Sequence, residues 1–216
     1  MAKRKDGIER QDILLEAATK IFAEKGFRDA TVADICKEAN SNIASLNYYF
    51  RSKDNLYAQV WKNAFQKTLA KYPLDMNLSK DAPPESALKA FIESLLHKVL
   101  DSGQLGYAGQ ILIQEMSNAT GKIETVKEDA IQPVKNRMRG IIKEILGEKS
   151  SDEQIAFCAL SVVHQCISFG FRRGNVPHPL NQLDKDELFN SLLEHITLFS
   201  LAGIQAVKEK IDKHGS

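Results

Sequence analysis

Apolar residues recur at helical spacing along nearly all of this chain. No stretch shows the sustained period-two alternation, bounded by turn pairs, of a half-buried strand. That feature confines the chain to helices packed on helices, an all-α fold. Its 216 residues are enough for one large or two small cores. Apolar residues at 43% and charged residues at 26% make a globular balance, which excludes a disordered tail protein. The 29 Lys and Arg against 28 Asp and Glu leave a net charge of +1, so bulk electrostatics points to no class of partner.

Local signals divide the periodic stretches. The first helix turns Ile13, Leu14, Ala17, Ala18, Ile21 and Phe22 inward, opens on Asp6 and Glu9 as a capping box, and stops at Gly26. Thr31 caps a short helix with Val32, Ile35 and Ala39 inward. Asn40 suits a left-handed turn, and Asn42 caps a second short helix whose Ile43, Leu46 and Phe50 face inward. Ser52 caps a longer helix through Leu56, Val60, Phe65 and Leu69, ending near Tyr72 and Pro73.

The stretch 73–84, rich in Asp, Asn, Ser and Pro, marks a boundary. It gives an N-terminal domain over 1–52 with a connecting helix over 53–72, and a second domain over 73–216. Helices are expected in that domain over 84–100, 105–116, 123–133, 133–146, 152–172 and 185–211. Pro133 reads as a first-turn residue and Gly147 as a stop, while Ser151 with Gln154 and Asp184 with Glu187 read as capping boxes.

Cys36, Cys158 and Cys166 cannot all pair internally and show no ligand spacing. On one helix Cys158 and Cys166 are about 12 Å apart along the axis, too far for a disulfide. A reducing, cytoplasmic compartment is expected. The most apolar run, 155–171, is interrupted by Ser161, His164, Gln165 and Ser168, and reads as a buried core helix rather than a membrane span.

The two short helices and their three-residue turn fit a helix-turn-helix, a motif that lays its second helix in the DNA major groove; a compact helical bundle with no nucleic-acid partner is the other reading these residues allow. On that helix Ala44 and Ser45 are small enough for close approach to bases. Asn47 can read adenine bidentately, and Tyr48 can stack on sugars or donate to a phosphate. Thr31, Asn42 and Lys53 stand at helix N-termini, where phosphates are held. Lys3, Arg4 and Lys5 form a basic arm suited to an adjacent minor groove.

At these residues the sequence resembles the TetR family of bacterial transcriptional regulators. Thr31, Ile35, Ala39, Leu46, Phe50, Ser52, Lys53 and Leu56 fall in register with the family's pattern. Asn40 stands for its turn Gly, Ser41 for Val, Asn42 for the Ser cap and Asn47 for Tyr. Asn42-Ile43-Ala44 with Tyr48-Tyr49-Phe50, the run 114–117, residues 131–133 and 141–147, and the run 158–166 resemble the CecR-like subgroup.

The resemblance implies about nine helices, a homodimer through 152–172 and 185–211, and a palindromic DNA operator. A wide apolar stripe over 185–211, from Leu188 to Ile204, agrees with the dimer. It also implies a small-molecule effector between C-terminal helices, whose binding moves the helix over 53–72 and releases the DNA. The pocket lining expected here is Phe91, Leu95, Tyr107, Ile111, Gln114, Glu115, Met138, Phe157, Ser161, His164, Gln165 and Ser168. Glu115, beside an apolar run, needs a partner: Arg137, Arg139 or a cationic ligand. Exporter or drug-response genes are the targets associated with the subgroup, and the nucleoid is the expected location.

No cofactor or metal is implied, and no G-x-S-x-G, P-loop, G-x-G-x-x-G or H-E-x-x-H motif occurs, so an enzyme is not expected. A sequence-tolerant DNA-binding protein of chromosome organisation or division is the alternative function. The loop 174–182 is either a lid or a connector.

Overall fold

A computed structural model of the chain describes residues 2–79, 81–100, 106–117, 119–170 and 178–214. Nine α-helices, one 3-10 turn and no strand occur among them. The helices are α1 (Ala2–Asp29), α2 (Val32–Glu38), α3 (Ile43–Phe50), α4 (Lys53–Lys71), α5 (Pro84–Leu100), α6 (Gly106–Ser117), α7 (Glu124–Leu146), α8 (Asp152–Gly170) and α9 (Lys185–His214), with the 3-10 turn at Leu180–Gln182.

Several ends are set by the residues read from sequence. Gly26 interrupts α1 at φ 76°, ψ 169°, a region open essentially to glycine. Ser52 Oγ accepts from Asn55 N–H at 3.1 Å. Ser151 and Gln154 exchange hydrogen bonds at 2.8 and 3.2 Å. Asp184 and Glu187 do the same at 3.2 and 2.8 Å. Gly147 takes φ 90° after α7.

Three expectations need correcting. α1 begins at Ala2, so Asp6 and Glu9 lie within a helix rather than at its start. A single helix, α7, runs through Pro133, where two helices were expected. Pro133 gives up its own N–H bond and crowds the carbonyl of residue 129, yet the helix continues on both sides of it. Ile13 is exposed, not inward. Residues 171–177 lie outside the described residues, and with them 174–177 of the loop 174–182 that reads as either a lid or a connector.

The chain divides into two compact units, and they are not two consecutive blocks. The first joins Met1–Thr68 to Ser102–Ala130, and the second joins Leu69–Asp101 to Ile131–Ser216. Thus α6 belongs with α1, against which it packs, and α4 and α7 each run across the division. The first unit's core holds Leu14, Phe22, Ile35, Leu46, Phe50, Leu56, Tyr57 and Trp61. Phe22 meets Tyr57 edge-on at 4.9 Å, and Trp61 stacks on Phe65 at 5.0 Å.

In the second unit α5 packs on α8 and α9. Leu88, Phe91, Ile92, Leu96, Ile141, Ile142, Val162, Cys166 and Ile196 build its core. His97 stacks between Tyr72 and Phe189 at 4.7 and 4.2 Å. Lys98 is buried there, and desolvation lowers its pKa to about 8. The three cysteines are buried and free. No helix among the described residues is long and apolar enough to cross a membrane.

Burial separates two neighbouring positions on α3. Leu46→Ala should cost about 2–5 kcal/mol in urea unfolding, whereas Ile43→Ala should stay within about 0.5 kcal/mol of the parent, because only Leu46 is in the core.

Candidate nucleic-acid interface

The first unit presents α3 through a set of local backbone devices. Thr31 and Asp34 form a capping box at the start of α2. At its other end Ser41 N–H reaches the Cys36 carbonyl at 2.8 Å and Asn40 N–H reaches that of Lys37 at 3.2 Å. This closing pattern places Asn40 in the left-handed region, at φ 45°. Asn42 then caps α3, its Oδ1 accepting from Ser45 N–H at 2.8 Å. α3 ends at Arg51, whose φ of 64° and ψ of −41°, with Ser52 N–H bonded to the Phe50 carbonyl at 2.7 Å, make a tight three-residue turn.

Leu46 and Phe50 are the side chains of α3 in the core. Ala44, Asn47 and Tyr48 are exposed, Tyr48 at 81%, and Ser45 is half-buried. Ile43, expected inward, is 53% exposed. It sits at the first helical position, where the Cα–Cβ bond leans toward the N-terminus, so the side chain overhangs the helix end instead of packing behind it. Sequence periodicity missed it because Ile43 lies near the inward stripe in helical angle; only its place at the end exposes it.

Thr31 and Asn42 are exposed, and both side chains are engaged as caps. Lys53 is turned onto its own unit: its Nζ donates to the Arg28 carbonyl at 3.3 Å and lies 4.6 Å from the centre of the Phe27 ring. Lys3 and Arg4 belong to α1 by backbone, and their side chains lie outside the described residues.

The expected pocket residues fall in both units. In the first, Ile111 and Glu115 are buried, while Tyr107 and Gln114 are half-buried. Gln114 Nε2 donates to the Ala23 carbonyl at 2.8 Å, tying α6 to α1. Glu115 has internal partners. It accepts from Thr120 N–H at 2.7 Å, from the Thr120 hydroxyl and, at 3.3 Å, from the Tyr57 hydroxyl. Burial, with Glu115 alongside, raises the Tyr57 pKa well above the ordinary phenol value. Arg139, expected as a partner for Glu115, pairs with Asp152 at 2.8 Å.

In the second unit Phe91 and Met138 are buried in the core, and Leu95 is partly buried against it. Phe157 (70%), Ser161, His164 and Ser168 instead lie on the exposed side of α8, and Gln165 is half-buried. Their polar groups are largely satisfied within α8. Ser161 Oγ donates to the Phe157 carbonyl, Ser168 Oγ donates to that of Gln165, and His164 Nδ1 lies 2.8 Å from that of Leu160. Leu160 on α8, with Leu198 and Phe199 on α9, adds further exposed apolar surface. Among the described residues no group of His, Cys, Asp and Glu is placed to hold a metal.

A capped, eight-residue helix, anchored by two core side chains and presenting small and amide side chains outward, is the reading helix of a helix-turn-helix regulator. Residues 14–60 match the model for bacterial regulatory proteins of the tetR family. Residues 84–204 match that for the C-terminal domain of the HTH-type transcriptional dual regulator CecR. The chain therefore belongs to the TetR family of transcriptional regulators, with a CecR-type C-terminal domain.

The HTH-type transcriptional repressor NicS of Pseudomonas putida is 34% identical over 101 residues, 43% of this chain and 45% of that protein. The biofilm operon icaADBC negative transcriptional regulator IcaR of Staphylococcus aureus is 40% identical over 55 residues, 26% of this chain and 30% of that protein. The matches thus span less than half the length of these curated relatives. The same fold occurs in a TetR-like transcriptional regulator from Rhodococcus, with TM-score 0.64 and 20% identity over 90% of this chain and 96% of that one. It also occurs in the fatty acid degradation regulator FadR of Bacillus halodurans, with TM-score 0.68 and 15% identity over 90% and 95%.

The capping box has a pH signature. The Thr31 hydroxyl first, then the Lys25 ammonium and the Thr31 N–H, hold the Asp34 pKa at about 2, against an ordinary 3.8. A carboxyl depressed by folding adds stability above pH 3.8 and loses it as pH falls through about 2. The difference in urea midpoint between the parent and Asp34→Asn should therefore shrink as pH falls from about 4 and level off below about pH 2.

Proposed function

We propose that this protein is a repressor that binds a palindromic operator as a homodimer and is released by a small molecule. The observation that carries the reading is the outward face of α3, formed by Ile43, Ala44, Asn47 and Tyr48, on a helix fixed by its cap and core anchors. Small side chains allow close approach to the groove floor, Asn47 offers a bidentate amide, and Tyr48 a phenol. The names of NicS and IcaR as repressor and negative regulator support the sign of regulation.

The dimer is proposed to form through α8 and α9. Phe157, Leu160, Leu198 and Phe199 leave apolar surface that a second copy would cover. The hydroxyls of Ser161 and Ser168 already bond to their own helix, so burying them would cost little. The effector is proposed to enter the apolar interior of the second unit near Phe91, Leu95 and Met138, favouring the state that does not bind DNA. Exporter or drug-response genes are the proposed targets, on the association of the CecR-like subgroup.

Fluorescence anisotropy on the DNA upstream of its own gene tests the central reading. The native duplex should win over a shuffled one by about 10³ or more, and both affinities should fall steeply over about 50–200 mM salt. Asn47→Ala should lose about 1–3 kcal/mol on the native duplex and little on the shuffled one. Equal weak binding to both duplexes would mean either that the operator lies elsewhere or that α3 does not read sequence, as in a sequence-tolerant chromosome protein, and a genome-wide binding selection separates the two.

Light scattering should give twice the 24.1 kDa chain mass. Phe157→Glu with Phe199→Glu should return it to one chain mass, since each places a charge on the apolar face. A parent protein that stays monomeric at micromolar concentration would remove the dimer.

A further inference from the structure

Ile43 is 53% exposed on a helix whose other outward side chains, Ala44, Asn47 and Tyr48, suit a DNA groove. It is the first residue of α3, and the N-terminal residues of a reading helix are those that reach base edges. An isoleucine there has no donor or acceptor. In a groove it can only exclude water and make dispersion contacts, so it favours an apolar group and leaves a polar base edge unpaired. The major groove offers one such group, the C5-methyl of thymine.

We infer that Ile43 is a specificity-determining residue that reads a thymine methyl in the operator half-site. The inference rests on the DNA-binding reading above and deepens it. Asn47 lies one turn further along α3 and neighbours Ile43 on the helix surface. The two are separated by about 6 Å of helix rise, or roughly two base-pair steps of 3.4 Å. The thymine therefore lies within about two base pairs of the adenine that Asn47 reads. Ile43 and Asn47 together select an A·T-containing step through two different properties, a methyl and a donor–acceptor edge. Ala44, between them in sequence, leaves room for both side chains to reach the groove.

The test begins with selection of duplexes from a random double-stranded library by the full-length protein and by Ile43→Ala. Ile43→Val serves as the graded variant. The parent should enrich thymine at one position of each half-site, and Ile43→Ala should lose that preference while keeping the adenine. The selected duplex is then remade with deoxyuridine at that position, which deletes only the methyl. The parent should bind it about four-fold more weakly per methyl removed, the value of burying one such group. Ile43→Ala should bind the thymine and uracil duplexes equally, and Ile43→Val should fall between.

A parent protein indifferent to uracil at every thymine of its selected site would overturn the inference and leave the regulator reading standing. So would an Ile43→Ala protein that keeps the parent's thymine-to-uracil ratio. A library in which neither protein enriches any sequence would overturn both. Because Ile43 is outside the core, loss of folding does not account for a loss of methyl discrimination.

Discussion

A helix of eight residues does not hold its shape in water, because nucleating it fixes several backbone angles for few hydrogen bonds. The reading helix α3 therefore exists by virtue of its attachments. Leu46 and Phe50 anchor it in the core, and Asn42 satisfies a backbone donor at its start. The rest of the first unit can be understood as the support for those anchors. Ile35 and Cys36 of α2, Phe22 of α1, and Tyr57 and Trp61 of α4 supply the buried surface around which the head is built.

The same unit recruits a distant part of the chain. Residues 102–130 belong with the N-terminal helices, and the polar bonds there are specific. Gln114 reaches the Ala23 carbonyl near the end of α1's main run, and Glu115 gathers the Tyr57 hydroxyl with the N–H and hydroxyl of Thr120. A buried carboxyl group is tolerated because its acceptors are filled by neutral donors, without an ion pair. The cost of breaking such a set lies in the donors left bare, which favours a single docking of α6.

Much of this was legible in the sequence, and the reason is locality. The ends of α2, α3, α4, α8 and α9 depend on a residue type and its neighbours within about four positions, so Thr31, Asn42, Ser52, Ser151 and Asp184 announced themselves. The left-handed turn at Asn40 and the break at Gly26 were equally local. What stayed hidden was set by surroundings. Ile43 and Ile13 have the chemistry of core residues, and position alone exposes them. Phe157 belongs to an apolar run that periodicity assigns to an interior, yet that face of α8 is open in the single chain. The partners of Glu115 lie 58 residues upstream and five residues on, past the end of α6, and no spacing rule links the two. Lys53 matched a phosphate-binding position, yet its ammonium is engaged by the Arg28 carbonyl and Phe27.

The reading helix is bracketed by two corners at positive φ, Asn40 before it and Arg51 after it, and neither is glycine. A side chain at such a corner costs the folded state something in backbone strain. It also narrows the conformations open to the unfolded chain, which a glycine would widen. The two effects oppose each other in overall stability, but they act together on stiffness. A glycine corner could swing through mirror-image basins with little resistance, whereas Asn40 and Arg51 confine each bend to a narrow well. The pitch at which α3 leaves α2 and enters α4 is then a property of the covalent chain, already set before any contact with nucleic acid is made.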